Sequence, residues 1–103
     1  MSKQWRRTED KVEYILSLSL NKEKLTNGGN LIQDWDGKSR VYFKANGYPF
    51  TTEWGKATSY STETHINDTI TSILFLYGRF IQGEIKKIPI KVQKNIIKTL
   101  IEE

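Results

Sequence analysis

Residues 35–50 read WDGKSRVYFKANGYPF, and they decide the predicted fold because they contain two tight-turn dipeptides. These dipeptides are Asp36-Gly37 and Asn46-Gly47. An Asx-Gly pair is typical of the type I′ turn of a β-hairpin, in which both central residues have a positive φ. A turn at each pair predicts two consecutive hairpins, and therefore at least three antiparallel strands.

The turns also fix which side chains share a face, since alternate residues of a strand point to opposite sides of a sheet. In the first hairpin Ile32 lies opposite Val41, and in the second Phe43 lies opposite Phe50. The face predicted to be buried holds Ile32, Val41, Phe43, Tyr48, Phe50 and Trp54. The other face, called the predicted outer face, holds Leu31, Trp35, Lys38, Arg40, Tyr42, Lys44, Thr51 and Glu53.

The segment before these turns adds one more strand. Apolar residues occupy every second position from Val12 to Leu20, and this period of two predicts a strand. Residues 21–30 contain an Asn-Gly-Gly-Asn cluster and are predicted to form a loop. Residues 1–7 are predicted to be a flexible basic arm that carries Arg6 and Arg7.

The second half of the chain predicts two helices. Apolar residues at steps of three and four predict a largely buried helix that begins at Thr64 or Asn67 and ends near Gly83. A second helix is predicted from Pro89, because proline is favoured in a first helical turn. It would bury Val92, Ile96, Ile97 and Leu100. Its outer side would carry a basic stripe of Lys87, Lys91, Lys94 and Lys98.

These elements predict an α+β fold, an antiparallel β-meander of three to five strands packed on one face by two C-terminal helices. A chain of 103 residues is expected to form a single domain, residues 1–103. The absence of cysteine excludes disulfides and thiolate zinc sites. The longest apolar run, residues 73–77, is far shorter than the roughly 20 residues that span a bilayer. We therefore expect a cytoplasmic protein that does not enter a membrane.

The predicted outer face is the candidate binding site. If it is uncovered, the rings of Trp35 and Tyr42 stand between the cations of Lys38, Arg40 and Lys44. Flat rings flanked by cations suit stacked bases and their phosphates, and the net charge of +4 suits the same partner. The sequence thus predicts a small, non-enzymatic nucleic-acid-binding protein that favours single strands. Auxiliary contacts are expected from Arg6, Arg7, Lys91, Lys94 and Lys98.

Each of these features also has a purely structural explanation. The rings could be packed beneath the N-terminal segment or against the mate in a homodimer, and the lysines could form an ordinary solvated helix face. In the runner-up function, the same aromatic surface is the hot spot of a protein-binding inhibitor or adaptor. A phage-encoded inhibitor of a host defence nuclease would be one example.

Signatures of catalysis and of metal binding are weak. His65 follows a run of hydroxyl residues, which would suit a nucleophile and its base, but no third residue is placed by the spacing. A strand that leads into a helix cap explains the run better. Asp34 and Asp36 would hold a hard cation only with a third acid, and such pairs are common in turns. We therefore expect no enzymatic activity, no metal and no cofactor.

Overall fold

Strand β1 (Asp10–Leu20) is the centre of the fold and confirms the strand predicted from alternation over residues 12–20. The structure is a computed structural model that describes residues 10–25, 31–33, 35–93 and 97–101. The basic arm predicted over residues 1–7 lies outside the described residues. Within β1, Ile15, Leu16 and Leu18 are completely buried, because the sheet is packed on both sides at this point.

Four further strands complete a five-stranded antiparallel sheet in the order β3-β2-β1-β4-β5. The α+β class and the antiparallel sheet are therefore confirmed, and β1, β2 and β3 are consecutive neighbours as in the predicted meander, while β4 and β5 extend the sheet on the other side of β1. The part of the chain that the structure describes contains one α-helix, α1 (Glu63–Tyr77). The remaining strands are β2 (Val41–Phe43), β3 (Phe50–Thr51), β4 (Ile81–Gln93) and β5 (Ile97–Leu100). Short 3₁₀ turns occupy Lys22–Leu25, Trp54–Lys56 and Gly78–Phe80.

The hairpin at Asn46-Gly47 is confirmed in its predicted register. Phe43 pairs with Phe50 across β2 and β3, and Gly47 has the positive φ of 74° that the turn requires. The amide of Lys44 donates to the carbonyl of Pro49 at 2.8 Å, and Pro49 has no amide to return the bond. Strand β3 is therefore very short, and it forms one edge of the sheet.

The hairpin predicted at Asp36-Gly37 is wrong. In the described residues before the turn, Ile32 makes a single isolated parallel bridge with Phe50, where the prediction paired it with Val41. The Asp36 carboxylate accepts hydrogen bonds from the amides of Lys38 and Ser39, which closes a local turn without strand pairing. The described residues on the two sides of this turn therefore do not pair as strands.

Helix α1 begins earlier and ends earlier than predicted. The Thr62 side chain caps it by accepting from the amide of His65, and the helix ends at Tyr77 rather than near Gly83. Gly83 lies in β4 with a φ of 83°, where the register against β1 shifts between Ser17 and Ser19. A β-bulge at this position uses the backbone freedom of glycine.

The second predicted helix, starting at Pro89, is wrong, because residues 81–93 and 97–100 form an antiparallel pair of strands. β4 provides a partner for the full length of β1, from Asp10 paired with Gln93 to Leu20 paired with Ile81. Ile88, Ile90 and Val92 alternate along β4 and pack on one face. Because these β-branched residues recur with a period of two, the segment forms a strand and not a helix. Ile96, which the predicted helix would bury, lies outside the described residues.

Two apolar clusters lie on opposite faces of the sheet. The larger one joins α1 to the sheet and contains Leu16, Leu18, Leu20, Val41, Phe50, Tyr60, Ile66 and Ile73. The smaller one contains Ile15, Ala57, Ile90 and Val92, with Tyr42 and Trp54 packed at its margin. Two predictions for the buried face are therefore wrong: Trp54 packs with the smaller cluster, and Tyr48 is 40% exposed.

Replacing Phe50 with Ala is expected to lower the free energy of unfolding by about 3–5 kcal/mol. Phe50 is 1% exposed, and its ring packs edge-on against Tyr77 at 5.4 Å and Phe43 at 6.2 Å. Replacing the half-buried Phe43 with Ala should lower the free energy of unfolding by less. Urea denaturation measures both values, and equal losses for the two variants would contradict the assigned packing.

Candidate nucleic-acid interface

Arg40 is fixed against β1 on the face of the sheet that lies opposite α1. Its Nε donates to the Ser17 hydroxyl at 2.9 Å, one Nη donates to the Ser17 carbonyl at 3.0 Å, and the other donates to the Ser19 hydroxyl at 3.3 Å. A guanidinium has five N–H donors, so two remain for a ligand. The Arg40 fork is thus oriented in advance, and this lowers the entropy cost of binding an anion.

The turn at residues 36–39 holds Lys38 beside this arginine. The Asp36 carboxylate accepts from the Ser39 hydroxyl and from the amides of Lys38 and Ser39. These hydrogen bonds, that of the Ser39 hydroxyl first, lower the pKa of Asp36 from 3.8 to about 2. The carboxylate is therefore engaged within the turn, while the Lys38 side chain stays exposed.

A cleft of about 640 Å³ lies between this turn, the 3₁₀ turn Lys22–Leu25 and the paired ends of β1 and β4. Lys22 and Lys38 line it, and among the described lining residues Glu23 is the single acid. Gly37 is needed here because its φ is 88°; an added Cβ would also lie 3.0 Å from the exposed Lys22 side chain, which would have to move. Hydrogen-bonding side chains in the lining are Ser19, Asn21 and Gln82.

Lys86 and Tyr42 extend the cationic surface on the same face. Ser17 pairs with Lys86 on the β4 side and with Tyr42 on the β2 side, so the three side chains point the same way. Lys86 is exposed and Tyr42 is half-buried. Sequence reasoning missed Lys22 and Lys86, because their positions beside Arg40 depend on long-range pairing and packing. The surface, called the basic face from here on, consists of Lys22, Lys38, Arg40 and Lys86.

Trp35 does not belong to this face, which corrects the predicted aromatic platform. Trp35 and Leu31 pack against the cluster beneath α1, whereas Tyr42 packs with the smaller cluster on the other side of the sheet. The Trp35 indole N–H donates to the Ser39 carbonyl at 2.9 Å. The two rings therefore cannot hold neighbouring bases, although Arg40 and Tyr42 do lie on one side of the sheet, where both adjoin Ser17.

The remaining predicted site residues are scattered. Lys44 lies near the turn between β2 and β3, on the wall of a cavity next to α1. Lys91 pairs with Val12 on the α1 side of the sheet, whereas Lys98 pairs with Val92 on the opposite side. The expected helical stripe therefore does not form. Arg6, Arg7 and Lys94 lie outside the described residues.

A second surface was not anticipated, because α1 was expected to be largely buried. Its last turn exposes 51% of Leu74, 86% of Phe75 and 59% of Leu76. Such a run looks the same in sequence whether a helix is enclosed on all sides or only on one. These three residues are called the apolar patch below.

The hydroxyl run before α1 has a structural role at the residues the structure describes. Thr62 caps the helix, and Ser59 donates to the Glu13 carboxylate. The His65 ring packs edge-on against Tyr60, with 4.8 Å between the ring centres. In the described ranges, no group of three His, Cys, Asp or Glu side chains converges as metal ligands would.

The chain matches no protein-family model, no curated protein and no solved structure. Within residues 10–25, 31–33, 35–93 and 97–101, no helix has the length and apolar content to cross a bilayer.

Replacing Asp36 with Ala is expected to destabilise the protein at pH 7, by an amount that shrinks as the pH falls. The folded pKa of about 2 lies below the usual 3.8, so the stabilisation by the Asp36 carboxylate is present above pH 3.8 and is lost as the pH falls through 2. Denaturation at a series of pH values measures this difference. Asp36→Asn, which keeps an oxygen acceptor but cannot ionise, is the control, and an Ala effect that stays constant from pH 5 to about 2 would contradict the assignment.

Proposed function

We propose that this is a small, non-enzymatic nucleic-acid-binding protein of the cytoplasm that contacts phosphates with its basic face. The observation that carries the proposal is the arrangement of Arg40, with three hydrogen bonds to β1 and two donors left over. Lys22 and Lys38 line the adjoining cleft, and Lys86 flanks Ser17. Four cations on one side of a small protein suit a polyanion better than a single small anion.

Single strands are the favoured form of the ligand. Tyr42 is half-buried beside the cations, so part of its ring is available to stack on one base. A stacked base contributes about 1–3 kcal/mol, and its phosphates can contact the neighbouring lysines. A duplex keeps its bases stacked on one another and cannot use the Tyr42 ring, so it would rely on phosphate contacts alone.

The expected result is salt-dependent binding of a fluorescein-labelled oligothymidylate, measured by fluorescence anisotropy. The logarithm of the association constant decreases linearly with the logarithm of the salt concentration. The magnitude of that slope becomes smaller by about 0.7 for each phosphate contact that a single strand loses. Lys38→Gln and Lys86→Gln should each reduce the slope by that amount and weaken binding severalfold. No binding at about 50 mM salt would overturn the proposal.

Lys87→Gln is a matched control for Lys86→Gln. The two lysines are adjacent, both are exposed, and successive strand residues point to opposite faces of the sheet. The two substitutions remove the same charge, so a difference between them depends on location. Equal losses in affinity would show that binding follows net charge alone, and this would contradict a defined basic face.

A protein-binding inhibitor or adaptor, such as a phage-encoded inhibitor of a host defence nuclease, is the second candidate function. The observation that favours a protein contact of some kind is the apolar patch, since three successive apolar side chains are more than half exposed there and exposed apolar patches mark interaction sites. Failure to bind any nucleic acid, together with specific capture of one host protein that is lost in Lys38→Gln or Phe75→Ser, would favour this candidate.

A further inference from the structure

The apolar patch is centred on Phe75, which lies on the outer side of α1, away from the sheet. Ile66 and Ile73, the buried residues of the helix, face the larger cluster. Phe75 follows Ile73 by two residues, which is a rotation of about 200° around the helix axis. Its ring therefore points away from the protein interior.

A cavity of about 240 Å³ with both polar and apolar walls adjoins this patch, between α1 and the turn that joins β2 to β3. Its walls include Phe43, Pro49, Ile73, Leu76 and Tyr77, with Lys44 as the one charged residue among the described lining. Leu76 belongs both to the patch and to the cavity wall. An exposed ring and a hole that accepts an apolar side chain thus lie on neighbouring sides of one helix.

A surface that carries both a projecting ring and a hole is complementary to itself, as a two-fold interface requires. Residues 69–77 of the helix contain no charged side chain, so Lys44 in the cavity wall is the one charge that the described part of this contact would have to accommodate. Arg40 and Lys86 of the basic face lie on the other side of the sheet, beside Ser17.

The area available is in the range of a weak dimer. An enclosed aromatic side chain removes about 150–250 Å² from water, so Phe75 and the two leucines together offer on the order of 400 Å² per chain. A standard interface takes about 800 Å² from each partner. The patch therefore forms the centre of such an interface, and residues at its rim have to supply the remainder.

We propose that the apolar patch is a homodimer interface, in which Phe75 of each chain enters the cavity beside Leu76 of the other. The occupant of the patch is thus a second copy of this chain. The proposal is independent of nucleic-acid binding, because no residue of the basic face belongs to the patch or lines the cavity.

Sedimentation equilibrium of the full chain over about 5–500 μM is the test. The weight-average mass should rise with concentration from 12.0 kDa toward twice that value. Phe75→Ser and Leu76→Ser should each raise the dimer dissociation constant at least about tenfold, since central anchors dominate interfaces. Because Phe75 is exposed, circular dichroism should show an unchanged fold in the Phe75→Ser variant.

Val12→Ser is the matched control, since Val12 is 51% exposed, as is Leu74, but lies near the start of β1. It should leave the dissociation constant unchanged. Three outcomes would overturn the proposal: a 12.0 kDa monomer at every concentration, a dimer that persists in Phe75→Ser, or growth beyond two chains. The first would assign the patch to a different protein, as in the second candidate function.

Discussion

The burial of β1 on both faces is the constraint on which the rest of the structure depends. Ile15, Leu16 and Leu18 are inaccessible to water, so both faces of the sheet need a cover and both edges of the strand need a partner. Helix α1 covers one face and the segment around Ala57 covers part of the other. The long β4 and the short β2 satisfy the two edges.

Ser17 links this constraint to the candidate site. Among the described residues it is the one buried polar side chain, at 2% exposure, and its hydroxyl accepts from Arg40. An unpartnered hydroxyl at this position would destabilise the fold by about 1–3 kcal/mol. The same hydrogen bond orients Arg40 toward solvent, so a requirement of the core also organises the cationic surface.

How far the sequence predicts the structure depends on how local the deciding interaction is. The Asn46-Gly47 hairpin and the alternation along β1 are local, and both were predicted correctly. The hairpin predicted at Asp36-Gly37 is wrong because the Asp36 carboxylate closes the turn by accepting from the amides of Lys38 and Ser39, in place of hydrogen bonds between two strands. The helix from Pro89 was misjudged because pairing with β1, distant in sequence, outweighed a helical spacing of apolar residues. For the site, the shared side of Arg40 and Tyr42 followed from strand alternation, whereas Lys22, Lys38 and Lys86 join them only through tertiary structure.

The short strand at the edge of the sheet has a consequence for aggregation at high concentration. β3 is two residues long, and the Phe50 amide, which points away from β2, already donates to the Leu31 carbonyl at 3.1 Å. Cross-β polymerisation from that side would therefore lack the continuous row of donors that it needs. The chain is thus protected at this edge against amyloid-like stacking by its backbone.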